Sequence, residues 1–246
     1  MLVLICQVLT GFWFEVESVV KSIVRDKCTL IMGTPTMIID ILSYVEKNNV
    51  KIDSLKCALL GGAAVPAEVA SKVQQVIPSC TDVRVGYGAT ELGPVTSAST
   101  ADDEAYKKLE TVGGPLDYVE LKIVDPANNK LKKINERGEL FVRGHNVMIG
   151  YWNNEEKTKE VITETGCYVR DRDIAVMEET GYIKIVGRTK ELVIRGGENI
   201  YPREVEDLLH THSNIEIAAV CGVPDDRVGE ELCAWIKLKD PKKALT

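Results

Sequence analysis

This sequence predicts an α/β fold, and three observations carry the prediction. Short apolar runs alternate with helical patterns in the first part of the chain, each run ends in a glycine-containing turn, and beyond Thr111 the pattern changes to strand-like alternation. The architecture expected is a parallel sheet flanked by helices, then a small antiparallel β-barrel, then an α+β section that the chain leaves incomplete.

The first repeat is strand, turn, helix. Cys28 to Met32 is an apolar run ending at Gly33, and Pro35 opens a helical pattern (Met37, Ile38, Ile41, Leu42, Val45) that closes at Asn48-Asn49. Lys56 to Leu60 leads in the same way through Gly61-Gly62 to a helix from Pro66 to Val76, and Val83 to Val85 enters a loop from Gly86 to Gly93. Parallel sheets bind ligands outside the carboxyl ends of their strands, and all three glycine turns fall there. After Thr111, Tyr118 to Val124, Gly138 to Val142 and Tyr182 to Val186 read as strands, with Asp125, Asn128 and Asn129 as turn formers. A third section begins near Gly187: a strand from Leu192 to Ile194, a Gly-Gly turn, a helix from Pro202 to His210, and strands around Ala218 to Val220 and Leu232 to Lys237.

The 246 residues are 45% hydrophobic and 27% charged, enough to build one or two cores. The formal charge is -7 and no basic stretch could neutralise a phosphate backbone, so nucleic acid is not an expected partner. The seven cysteines are scattered, odd in number and without a C-x-x-C pair, as expected of reduced thiols in an intracellular protein. The apolar opening, Met1 to Phe14, has no basic residue before Lys21 and is shorter than the ~20 residues of a membrane span. It reads as a core segment of a domain begun partway through, and no transmembrane segment is expected.

Gly86-Tyr87-Gly88-Ala89-Thr90-Glu91 brings together two glycines, an aromatic ring, a hydroxyl and a carboxylate. A nucleotide site uses such parts: a ring to stack on a base, a hydroxyl for a phosphate oxygen, a carboxylate for Mg²⁺. A tight turn with Tyr87 packed and Glu91 solvated accounts for the segment equally well. Gly61-Gly62-Ala63-Ala64, Arg195-Gly196-Gly197-Glu198-Asn199 and Asp171-Arg172-Asp173 are each compatible with plain turns or surface charge when taken alone. No histidine has a metal-ligand pattern, so no structural metal is expected, and no Ser/His/Asp constellation is in evidence.

In order along the chain, these segments resemble the adenylate-forming superfamily of acyl-CoA synthetases, luciferases and peptide-synthetase adenylation domains. The matching segments are Gly33-Thr34-Pro35-Thr36, Gly61 to Ala64, Gly86 to Glu91, Gly138-Glu139-Leu140 with Arg143-Gly144, Met148 to Trp152, and the long run Gly187 to Pro202. The wording of Gly222 to Arg227 and Val186-Gly187-Arg188 looks most like the medium-chain fatty-acid branch. The resemblance implies a two-step reaction. A carboxylate attacks the α-phosphate of Mg-ATP to give acyl-AMP and pyrophosphate, and the thiol of CoA then displaces AMP.

The resemblance also implies site residues. Gly61, Gly62, Ala63, Gly86, Tyr87 and Gly88 would line the nucleotide, with Tyr87 stacked on adenine. Thr90 would bind phosphate, Glu91 would hold Mg²⁺, Asp173 would accept the ribose hydroxyls, and Arg188 would assist at ribose and phosphate, so that Thr90, Glu91 and Arg188 form the catalytic set. Lys190 would be the hinge, and Arg195, Gly196, Gly197 and Glu198 would line the CoA path. Residues 1–186 would be the C-terminal portion of a large domain, with a β/α part over 1–110 and a β-rich part over 111–186. Residues 187–190 would be the hinge, and 191–246 an incomplete small domain.

Three departures accompany the resemblance. The family's Ser/Thr/Gly-rich phosphate loop has no counterpart in this sequence, nor has its catalytic lysine, so the chain is expected to be a fragment inactive by itself. A non-catalytic nucleotide-binding or acyl-CoA-binding remnant is the alternative. Arg172 stands where the family has glycine before its ribose-binding aspartate, which is expected to disturb that turn or crowd the ribose. Mitochondrial matrix and cytoplasm are both compatible locations.

Overall fold

A computed structural model describes residues 13–63, 65, 67–163, 169–240 and 242. Met1 to Phe12, Ala64 and Pro66, which figure in the expectations, lie outside the described residues. The chain divides into two compact units, Met1–Gly88 with Ser97–Gly113, and Ala89–Thr96 with Gly114–Thr246.

The first unit is α1 (Val16–Arg25), β1 (Leu30–Gly33), α2 (Pro35–Lys47), β2 (Cys57–Leu60), α3 (Ala67–Val76), β3 (Asp82–Tyr87), β4 (Ser97–Ala98) and α4 (Ala105–Glu110). Helix α2 starts where its sequence dictates. The Thr34 hydroxyl accepts from the Met37 N–H, and Pro35 occupies the first turn, where no N–H is missed. Its buried face, Ile38, Ile41, Leu42 and Val45, joins Val20 and Ile23 of α1 and Leu60, Val73, Val83 and Val85 in one core. Each such side chain contributes about 2 kcal/mol by leaving water.

Strands β1, β2 and β3 pair in parallel, and β4 returns antiparallel to β3. This extends β3 beyond expectation. Gly86 and Tyr87, read as loop from sequence, are the last strand residues because they pair with Ala98 and Ser97.

The second unit begins with a 3₁₀ turn, Thr90–Leu92, and continues through β5 (Gly114–Pro115), β6 (Val119–Val124), β7 (Arg137–Gly144), α5 (Glu155–Val161), β8 (Val169–Met177) and β9 (Ile183–Arg188). It ends with β10 (Val193–Arg195), β11 (Glu198–Ile200), α6 (Pro202–His210), β12 (Ile215–Asp225) and β13 (Gly229–Leu238). The strands expected to form a small barrel pair instead as an antiparallel sheet in the order β6-β7-β8-β9, and among the described residues no pairing closes it. Strand β8 has no counterpart among the strands expected from sequence.

A second antiparallel sheet has the order β11-β10-β13-β12. Helix α6 covers one face of β12. Its Glu206 and His210 side chains accept from the backbone N–H groups of Val220 and Ala218, and both of those residues are buried. No helix among the described residues is long and apolar enough to cross a membrane.

Candidate functional site

The first unit contributes a bare sheet edge. Leu60 ends β2 between Gly33 of β1 and Val85 of β3, so Gly61 emerges beside Gly86, and its N–H donates to the Gly33 carbonyl at 3.2 Å. A β-carbon on Gly61 would lie 2.7 Å from the Gly86 carbonyl oxygen, closer than packed atoms come. Only glycine fits there. Gly62 follows with φ +77°, a left-handed conformation that glycine adopts without strain, and both Gly62 and Ala63 are exposed. Gly61, Gly62, Ala63, Gly86, Tyr87 and Gly88 thus collect at the carboxyl end of the parallel strands.

The second unit places Thr90 and Glu91 on its opening turn, with Thr90 exposed and Leu92 fully buried beneath. Glu91 is held twice by a loop distant in sequence. The Tyr151 hydroxyl donates to Glu91 Oε1 at 2.7 Å, and the Met148 N–H donates to the Glu91 carbonyl at 2.9 Å. Asn146 Nδ2 donates to the Leu92 carbonyl at 2.7 Å. Gly93, at φ +58°, leaves room for the Asn146 carbonyl, which a β-carbon would meet at 2.5 Å. Tyr151 is itself fixed, its N–H on Thr158 Oγ1 and the Lys157 ammonium 4.9 Å from its ring centre. In the sequence, Met148 to Trp152 stands out only as a matching segment; the Tyr151 contact with Glu91 joins residues 60 positions apart, and no spacing rule signals it.

Asp173 is only 4% exposed, which removes the surface-charge reading of Asp171-Arg172-Asp173 for this residue. It lies opposite Arg188 in the β8–β9 ladder and accepts from Arg188 Nε at 3.0 Å. Arg172 has φ +62°, and its carbonyl accepts from both the N–H and the hydroxyl of Thr189, at 2.9 and 3.0 Å. Lys190 follows in an exposed turn. Within the same sheet, buried Glu139 of β7 accepts from Arg170 of β8 at 2.8 Å, a pairing that no local sequence pattern signals.

The Arg195 to Glu198 segment is the tip of the β10–β11 hairpin, where Gly196 and Gly197 both have positive φ. The tip is anchored at three points to the β12–β13 hairpin: Ile194 N–H to Glu230, Arg195 Nε to Glu231 at 2.6 Å, and Gly196 N–H to the Val228 carbonyl. The hydrogen bond from Arg195, together with the Leu232 N–H, holds the Glu231 carboxyl below its usual range, and the same contact raises Arg195.

Comparison with known proteins gives the chain's family. The AMP-binding enzyme family model matches residues 6–152, and the AMP-binding enzyme C-terminal domain model matches 204–246. The chain is 43% identical over 220 residues to the mitochondrial medium-chain acyl-CoA ligase ACSF2 of Danio rerio, covering 89% of this chain and 36% of that protein. The amide bond synthetase McbA from Marinactinospora thermotolerans superposes on 94% of the chain, and on 46% of its own length, with TM-score 0.83 and 28% identity. The o-succinylbenzoate CoA synthetase MenE of Bacillus subtilis, solved with the acyl-adenylate intermediate OSB-AMP, gives 0.78 at 30% identity over 93% of this chain and 45% of its own. On these grounds the chain belongs to the AMP-binding enzyme family.

Proposed function

We propose that these residues are part of an ATP-dependent acid-thiol ligase that converts a medium-chain fatty acid to acyl-AMP and passes the acyl group to CoA. The buried Asp173 facing Arg188 is the observation that carries it. A carboxylate with two acceptor oxygens suits a vicinal diol, and the Arg188 guanidinium holds its rotamer in place to accept from hydroxyls. The name of the Danio rerio relative supports the medium-chain assignment, and the adenylate bound to MenE supports the intermediate.

On this reading the glycine edge of the first unit lets backbone lie along the nucleotide, and Tyr87 offers a ring to adenine. Thr90 donates to a phosphate oxygen. Glu91 fits a Mg²⁺ role by its donor chemistry: one carboxylate oxygen is tied by Tyr151, which fixes the rotamer, and the other is a hard oxygen of the kind Mg²⁺ takes together with phosphates. Mg²⁺ bound there would offset negative charge on the phosphates. Arg188 supplies a fixed positive charge where charge develops at the α-phosphate, Lys190 serves as the hinge, and Arg195 to Glu198 border the path of CoA.

ATP–pyrophosphate exchange with a panel of carboxylates tests the proposal. The chain spans 36% of the length of the Danio rerio relative, so the assay compares this chain with one extended at both ends by the relative's segments. Exchange by the extended protein, strongest with medium-chain acids and lost in Asp173→Ala, is the expected result. An extended protein that folds but exchanges with no carboxylate overturns it.

A further inference from the structure

The β12–β13 hairpin sets two cysteines against each other. Cys221 and Cys233 are direct register partners in its antiparallel ladder, and both are free thiols, Cys221 exposed and Cys233 partly so. They lie on the face away from α6. Ala218 and Val220 are buried beneath that helix, so by alternation Cys221 turns outward with Ala219 and Val223, and Cys233 follows with Trp235, 72% exposed.

The backbone fixes the spacing of the pair. Ala218 and Val220 direct their N–H groups to α6 side chains and away from β13. Because direction alternates along a strand, Cys221 faces β13 and shares a hydrogen-bonded pair with Cys233, with α-carbons about 5.5 Å apart. That separation falls inside the window of about 4.4–6.8 Å that a disulfide bridges. The β-carbons of directly opposed residues stand about 4.5–5.5 Å apart, against about 3.8 Å in a relaxed disulfide, so the bond must draw the strands together. Strained, exposed disulfides are readily reduced again.

We propose that Cys221 and Cys233 form a reversible dithiol–disulfide site whose oxidant is a low-molecular-weight disulfide. The thiolate of Cys221 attacks one sulfur of the oxidant, breaking its S–S bond and releasing one thiol. Cys233, after losing its proton, attacks the Cys221 sulfur of the mixed disulfide and releases the second thiol. The protein loses two protons and two electrons, and these turn one small disulfide into two small thiols. Two of the other described cysteines compete poorly: Cys80 is buried, its thiol pushed up to about 11 by desolvation, and burial also raises Cys57. The site lies on the hairpin that carries Val228, Glu230 and Glu231, so oxidation stiffens the support of the Arg195 to Glu198 tip.

The full chain, reduced and then treated with oxidised glutathione, is alkylated and mapped by peptide mass spectrometry. The expected result is loss of two alkylatable thiols, an intramolecular Cys221–Cys233 link independent of protein concentration, and recovery of both thiols with dithiothreitol. Cys233→Ser should stop at a mixed disulfide on Cys221, and the preference for this pair should vanish in denaturant. Persistent glutathione on both cysteines of the parent chain, or linkage only to other cysteines or between molecules, overturns the proposal.

Discussion

The two units supply their candidate residues by opposite means. In the first, the edge formed by Gly33, Gly61 and Gly86 is defined by side chains left out, so that backbone itself is the surface presented. In the second, Glu91, Asp173 and Arg195 are charged groups, each held by a specific partner: Tyr151, Arg188 and Glu231. At Gly61 that shape leaves no room for an added β-carbon, whereas charge made by pairing tolerates change as long as the partner changes too. The two regions should therefore fail differently under mutation.

Gly61→Ala should give the largest effect. The new β-carbon meets the Gly86 carbonyl with no flexible side chain to yield, and overpacking of this kind costs about 1–3 kcal/mol. Urea unfolding should place the loss at the upper end, and Gly61→Ser should do no better. Next comes Arg188→Ala, which takes the cation away from a buried carboxylate and should cost about 2 kcal/mol. Adding Asp173→Asn should recover most of that loss, a rescue with no equivalent at Gly61; a double variant no more stable than the single would erase the contrast.

The smallest effect should be a gain. Arg172 at φ +62° carries the strain of an L-residue in the left-handed region, and its Glu160 contact at 3.4 Å is a surface pair of little value. Arg172→Gly relieves the strain but loosens the unfolded chain, leaving a net stabilisation of about 0.5 kcal/mol, readable as a raised midpoint in urea.

What the sequence made legible follows the same division. Strands β1 and β2 and helices α2 and α6 were readable because local signals coincide: apolar runs, a threonine–proline start, a glycine or asparagine stop. Strand β8 was hidden because Arg170, Arg172 and Asp173 look like solvent-facing charge, and the partners that make two of them part of a sheet, Glu139 and Arg188, lie on neighbouring strands. The extension of β3 through Tyr87 depends likewise on β4. Resemblance named Glu91 and Asp173 without giving what holds them, and the Tyr151 contact is a property of the folded backbone alone.

The triple anchorage of the Arg195 to Glu198 tip has a mechanical consequence. A loop attached only at its own ends could flex alone, but this one is bolted through Glu230, Glu231 and Val228 to a long two-stranded ribbon. It behaves as the head of a lever whose arm is β12–β13. A push on the far end of the ribbon, near Ile215 and Leu238, would be delivered at the glycines of the tip.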